Sequence, residues 1–193
     1  MVGNIPNYNK IDVLRCFFRL SRYAGRQELA KELHLGEGTV RTILGILKSK
    51  KMLSSAKKGH FLSKKGEYEL GKIMQTSSMP ELIAAKNPYP DYIKIGMRIK
   101  NVPALSQVHK IRDIAVKNGA DGAIILRFQN RLYAPEAGIG QDFRELENHF
   151  DFKKNDVFVI GFSNSRKNAE NGVLAIAVEL SSSLKKFINI LSG

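Results

Sequence analysis

The sequence has a single cysteine, no tryptophan and six prolines in 193 residues. One cysteine, Cys16, excludes an intramolecular disulfide and any cysteine-rich metal site. It falls in an apolar helical pattern, which reads as a small buried hydrophobe rather than a redox sensor. Long hydrophobic runs are absent too. The longest, Gly172 to Val178, is far too short to span a bilayer. No apolar signal core is visible, because Asn4, Pro6, Asn7 and Asn9 stand where one would lie. These absences predict a cytoplasmic protein without membrane contact.

Negative charge is scarce. There are 18 Asp and Glu against 31 Lys and Arg, a net charge of +13. The deficit is uneven. Residues 1–75 carry 15 basic and 6 acidic side chains, a net of +9, and residues 76–193 carry 16 and 12, a net of +4. The excess in the first part suits a phosphate-binding module. Hydrophobic content of 43% is that of a globular chain, not a disordered one.

That basic part holds the most informative stretch, Gly25 to Gly66. A first short helix, about Gln27 to Leu33, places Leu29, Ala30 and Leu33 on one side. Leu35-Gly36-Glu37-Gly38 then breaks it, with Gly36 and Gly38 expected to permit a left-handed or tight backbone. A second helix, roughly Gly38 to Lys50, has Val40, Ile43, Leu44 and Leu47 at i, i+3, i+4 and i+7, a stripe to be buried. Its other face carries Thr39, Arg41, Thr42, Gly45 and Lys48, with no carboxylate after Glu37. Such a face suits a polyanion, Arg and Lys for phosphate or guanine and Thr for phosphate or a thymine methyl. Met52 to Ala56 and His60 to Ser63 follow as two strand-like runs around Lys57-Lys58-Gly59. Two close helices, the second basic, and then a lysine-tipped hairpin form the pattern of a winged helix-turn-helix.

This stretch resembles the N-terminal DNA-binding domains of the SorC/central glycolytic gene regulator group. It resembles more closely a set of uncharacterised archaeal proteins that join a winged helix to a C-terminal domain of unknown function. "GRQELAKELHLGEGTVRTILGILKSKKML" and "KKGHFLSKKG" carry the likeness in the first half. "NGADGAIILRF", "RLYAPE" and "DVFVIGFSNS" carry it in the second. The resemblance implies a transcriptional regulator.

Around that stretch, the pattern predicts an opening helix capped by Asn9, with Ile11, Val13, Leu14, Phe17, Phe18 and Leu20 on a broad apolar face. Arg15, Arg19 and Arg22 are expected on the opposite side, within reach of a DNA backbone. A helix from Lys64 to about Thr76 follows, with Tyr68, Leu70, Ile73 and Met74 as its apolar contacts. One more turn of helix is expected at Glu81 to Lys86. The domains read as 1–77, a winged helix-turn-helix; 78–90, a linker with its break near Pro88; and 91–193, a small α/β domain.

In the second domain Tyr92 to Lys100 alternates as a half-buried strand, and Ser106 to Asn118 is a helix. Ala123 to Leu126 reads as a central strand, Arg131 to Ala134 as its return, and Phe143 to Phe150 as a short helix. Val157 to Phe162 is the most apolar strand. Helices from about Ala169 and from Leu184 close the chain. The order predicts an α/β class with a mixed sheet, α+β over the whole chain.

Candidate chemistry in this half is thin. His34, His60, His109 and His149 lack metal-ligand spacing, so no metal or other cofactor is expected. Gly138-Ile139-Gly140, in a Gly-rich loop from Pro135 to Asp142, is a bare G-x-G without the rest of a phosphate-binding motif. Glu136, Asp142, Glu145 and Glu147 read as a solvated acidic face. No nucleophile stands with a matched base, so no enzyme is expected. The rival to the regulator is an enzyme for a nucleotide or phosphorylated metabolite, with the 135–142 loop in its site.

The expected contacts with double-stranded DNA are Thr39, Arg41, Thr42 and Lys48 of the second helix, with Lys57, Lys58 and His60 of the hairpin. Arg41 is the candidate base reader, and the lysines position the protein on phosphates. Reading two half-sites requires a homodimer. The second domain is then expected to bind an unidentified small-molecule effector, to dimerise, or both.

Overall fold

The computed structural model describes residues 8–85, 87–136 and 142–192. The chain divides by compactness into two units, one made of residues up to 72 together with those from 186, the other of residues 73–185.

The first unit opens with α1 (Lys10–Arg19), α2 (Arg26–Leu33) and α3 (Glu37–Ser49). Asn9 caps α1 as expected. Its side chain accepts from the Asp12 amide at 3.0 Å, and the Asp12 carboxylate accepts from the Asn9 amide at 3.2 Å. The apolar faces of the three helices meet in a core of Leu14, Phe17, Phe18, Leu29, Leu33, Val40, Ile43 and Leu47. The turn between α2 and α3 is made differently from its sequence expectation. His34 takes the left-handed conformation at φ 52°, while Gly36 holds φ −66° and caps α3. An αL residue after a helix closes it by returning its amide to the last turn. Leu35, next in line, donates to the Ala30 carbonyl at 3.0 Å.

The strands β1 (Leu53–Ala56) and β2 (Gly59–Leu62) pair antiparallel, with Lys57 and Lys58 at the turn. Ala24 and His60 exchange two main-chain hydrogen bonds of 3.0 and 2.9 Å, which ties the hairpin to the segment before α2. Gly59 is required there. Its φ is 125°, and a Cβ would lie 2.7 Å from the Ala24 carbonyl oxygen. α4 (Lys64–Thr76) follows. Tyr68, expected in its core, is exposed, with the Lys72 ammonium 4.7 Å from its ring centroid.

The second unit is built on a five-stranded sheet. Its strands are β3 (Glu81–Leu82), β4 (Ile93–Ile99), β5 (Gly122–Phe128), β6 (Leu132–Tyr133) and β7 (Val157–Ser163), in the order β3-β4-β7-β5-β6. Residues 81–82, expected as a turn of helix, are this edge strand. The stretch read as a linker therefore contributes to the sheet, and Ile83 and Ala85 are buried in its core.

The α/β class holds, but the sheet is not mixed: among the described residues every strand pair is antiparallel. A strand–helix–strand unit such as β4, α5 (Val108–Lys117) and β5 often joins parallel neighbours. The two strands do run in one direction, because each pairs antiparallel with β7. β7 lies between them, so it and not β5 is the central strand, and all seven of its residues are buried.

α5 and α7 (Arg166–Leu180) cover one face of the sheet. On that face Gly161 lets α7 approach, since a Cβ would lie 2.7 Å from the Ala169 carbonyl oxygen. The other face carries Leu126, Phe158 and Ile160, packed with Phe143, Leu146 and Phe152 around α6 (Arg144–Glu147). α8 (Ser182–Ser192) closes the chain. Among the described residues no helix is long and apolar enough to cross a membrane.

Candidate nucleic-acid interface

Burial of Val40, Ile43, Leu44 and Leu47 sets the orientation of α3. Helical geometry then turns Arg41, Thr42, Gly45 and Lys48 outward, and all four are exposed. Thr39 is half-buried. The Thr42 hydroxyl donates to the Gly38 carbonyl at 3.2 Å, so it is engaged with its own helix. Gly45 has open space where a side chain would stand, which leaves a recess between Arg41 and Lys48.

That recess continues to the hairpin. A cleft of about 230 Å³ is lined by Arg26, Arg41, Gly45, Lys48, Ser55 and His60, among others. Three of the expected contacts, Arg41, Lys48 and His60, thus come together across α3 and β2. Lys57 and Lys58 are exposed at the hairpin turn, outside the lining of the cleft. Arg26 is the residue that sequence reasoning missed. It lies two positions after Ala24, whose hydrogen bonds to His60 bring α2 to the hairpin. No periodicity records that pairing.

Electrostatics distinguishes two groups among the basic residues of this unit. Arg19 lies 3.7 Å from Glu32, Arg22 pairs with Glu28 and Glu32, and Arg26 pairs with Glu37 at 3.2 Å. Arg15 was expected on the exposed side of α1. It is fully buried instead, donating to the Asp12 carboxylate and to the Leu33 carbonyl, each at 3.1 Å. A guanidinium there closes the end of α2, where a carbonyl lacks an intrahelical partner. By contrast Arg41, Lys48, Lys57 and Lys58 have no carboxylate partner among the described residues. His60 sits beside them, its Nδ1 2.9 Å from the Ser55 hydroxyl. Partial burial lowers its pKa from the ordinary 6.5, and the nearby Lys48 and Arg26 charges lower it further.

The remaining candidates are dispersed. Burial pushes the Cys16 thiol up to about 12, as fits an inert core residue. The acidic side chains do not form one site. Glu147 accepts from the Leu132 amide at 2.7 Å, and Glu136 pairs with Arg112. Asp142 is held at about 2 by the Arg144 guanidinium. Gly138, Ile139 and Gly140 lie outside the described residues. Among those described, no group of three or more His, Cys, Asp and Glu could hold a metal ion.

Comparison with known proteins finds separate matches for two parts of the chain. Residues 11–68 match the family model described as the PH0730-like N-terminal domain. Residues 93–180 match the model of a domain of unknown function, DUF4443. No curated protein matches. A solved structure described as a crystal structure of an IclR-type transcriptional regulator from Alicyclobacillus acidocaldarius aligns over 94% of this chain and 97% of its own. Its identity is 11% and its TM-score 0.28, too low to support any argument. A hypothetical protein from Pyrococcus horikoshii OT3, PH0730, has a solved structure 27% identical, covering 93% of this chain and 99% of that one, with a TM-score of 0.78. In both halves, then, the chain is similar to an archaeal protein of the same architecture.

Proposed function

We propose that the chain is a DNA-binding transcriptional regulator that reads duplex DNA with α3 and straddles the phosphates with its hairpin. The observation that carries this reading is the division of the basic residues. Arg15, Arg19, Arg22 and Arg26 stand beside neighbouring carboxylates, while Arg41 and Lys48 on the outer face of α3 and Lys57 and Lys58 at the hairpin tip do not. A helix of that kind fits the major groove, and unneutralised cations on either side meet the backbone. The arrangement of three helices and a hairpin tied back by Ala24 suits a winged helix.

In this reading Arg41 reaches base edges, and Lys48, Lys57, Lys58 and His60 contact phosphates. The second unit supplies dimerisation, effector binding or both, and the protein acts in the cytoplasm as a regulator rather than an enzyme. Two copies read a site with two half-sites.

The test is binding of purified protein to its own promoter region and to random duplex across a salt series. A specific complex is expected, with log K falling by about 0.9 for each phosphate neutralised against log salt. Equal binding to both DNAs would leave a non-specific basic protein and overturn the regulator. A monomer at micromolar concentration by light scattering would remove the dimer.

A further inference from the structure

The second unit has its own cavity, of about 250 Å³, along the outer edge of β5. Among the described residues that edge is unpaired for most of its length. β6 pairs only with Arg127 and Phe128, so among the described residues no strand covers the outer side of Gly122 to Leu126. Val108 of α5, Ile124 of β5, Ala134 and Phe143 supply apolar walls. Two charges of opposite sign stand at the rim, both partly exposed. Arg112 Nη2 lies 3.0 Å from Glu136 Oε2, and His109 Nδ1 lies 3.8 Å from Glu136 Oε1.

We propose that this cavity binds a free α-amino acid with an apolar side chain. Size sets the first limit. Pockets for drug-sized ligands run from roughly 300 to 1,000 Å³, so this one takes a smaller molecule. Charge sets the second. A simple anion on Arg112 would face the Glu136 carboxylate, and a simple cation on Glu136 would face Arg112. A zwitterion meets both: its carboxylate matches the planar guanidinium fork and its ammonium matches Glu136. The bare strand edge adds main-chain donors and acceptors beside those charges. The apolar walls then receive the side chain. A nucleotide or phosphorylated metabolite fits poorly, because its charge would meet one arginine already paired with a carboxylate. The proposal is independent of DNA binding, and its test needs no DNA.

The experiment is calorimetric titration and thermal unfolding of the full-length protein with single amino acids. The panel is leucine, isoleucine, valine, methionine and phenylalanine, with aspartate and lysine as charged controls. Leucine-sized ligands are expected to bind saturably and raise Tm. The leucine analogues lacking the amine (4-methylpentanoate) or the carboxylate (3-methylbutylamine) are expected to bind at least about tenfold more weakly, since each leaves one rim charge unmatched. Arg112→Met and Glu136→Gln are expected to lose a similar factor. Both side chains are partly exposed, so an unchanged circular dichroism spectrum separates lost binding from lost folding. Absence of binding by every amino acid at millimolar concentration would overturn the proposal. So would equal binding by the amine-free analogue, or tighter binding by a leucine tripeptide that occupies the strand edge instead.

Discussion

Phe17 of α1 and Phe187 of α8 pack ring against ring, their centroids 4.4 Å apart and their planes inclined by 42°. Two residues 170 positions apart thereby share one core, and residues from 186 belong to the same compact unit as those up to 72. Phe187 is 1% exposed, so removing its ring leaves a cavity that the helices cannot close. Phe187→Ala is expected to cost about 3–5 kcal/mol of stability in that unit. Urea unfolding followed by circular dichroism measures it. A loss below about 1 kcal/mol would mean that the ring is dispensable to this core.

Arg15 makes a second prediction, this time about a buried charge. Its guanidinium joins Asp12 of its own helix to the Leu33 carbonyl at the end of α2. Arg15→Ala removes the partner of a carboxylate whose side chain is only 5% exposed. Breaking a buried pair in this way costs about 3–5 kcal/mol, more than the pair contributes relative to an apolar isostere. Asp12→Asn combined with Arg15→Met is therefore expected to be more stable than Arg15→Ala alone. Thermal unfolding of the three proteins decides it. DNA affinity per folded molecule should not change, because Arg15 faces the core; a specific loss of affinity in a folded Arg15 variant would contradict that.

Arg41 and Lys57 separate reading from positioning. Arg41→Ala is expected to cost about 1–3 kcal/mol on the preferred site and to relax the preference at the base it contacts. Lys57→Ala should weaken every duplex alike and reduce the salt slope by about 1. Fluorescence anisotropy with matched specific and random duplexes distinguishes them. Equal losses on both duplexes for Arg41→Ala would assign Arg41 to the backbone instead.

What the sequence revealed follows from what repeats within it. The apolar stripes of α1 and α3, the hairpin around Lys57 and Lys58 and the apolar run of β7 all carry a local period or composition. Each stands where that pattern placed it. What escaped depends on partners distant in sequence. Arg15 looked like one more exposed arginine of α1, because the Leu33 carbonyl that accepts from it belongs to another helix. β3 is two residues long, too short for any alternation to show. The place of β7 between β4 and β5 is a matter of pairing, which strand order along the chain does not encode. Arg26 joined the candidate interface for the same reason, through the pairing of Ala24 with His60.

His60 ties the candidate interface to pH. In the free protein its pKa lies below 6.5, because burial comes first and the Lys48 and Arg26 charges add to it. The groups facing it are Ser55 of β1, Arg26 of α2, and Arg41 and Lys48 of α3, and among the described residues no carboxylate lines the cleft. A DNA phosphate brought into the cleft would supply the missing negative charge and raise the His60 pKa. Binding should then take up a proton wherever the pH lies between the free and bound values. Affinity should rise as pH falls through the bound value and level off below the free one. The sign for folding alone is opposite. A lowered folded pKa means that the unfolded chain takes up the proton first, so this contribution to stability is present above 6.5 and declines as pH falls through the folded value. Titrating DNA affinity between about pH 5 and 8 covers the range in which histidine changes charge. His60→Gln keeps a hydrogen-bonding side chain for Ser55 and is expected to flatten the profile. An affinity that rises equally in the wild type and in His60→Gln would assign the pH dependence to another group and remove His60 from the phosphate contacts.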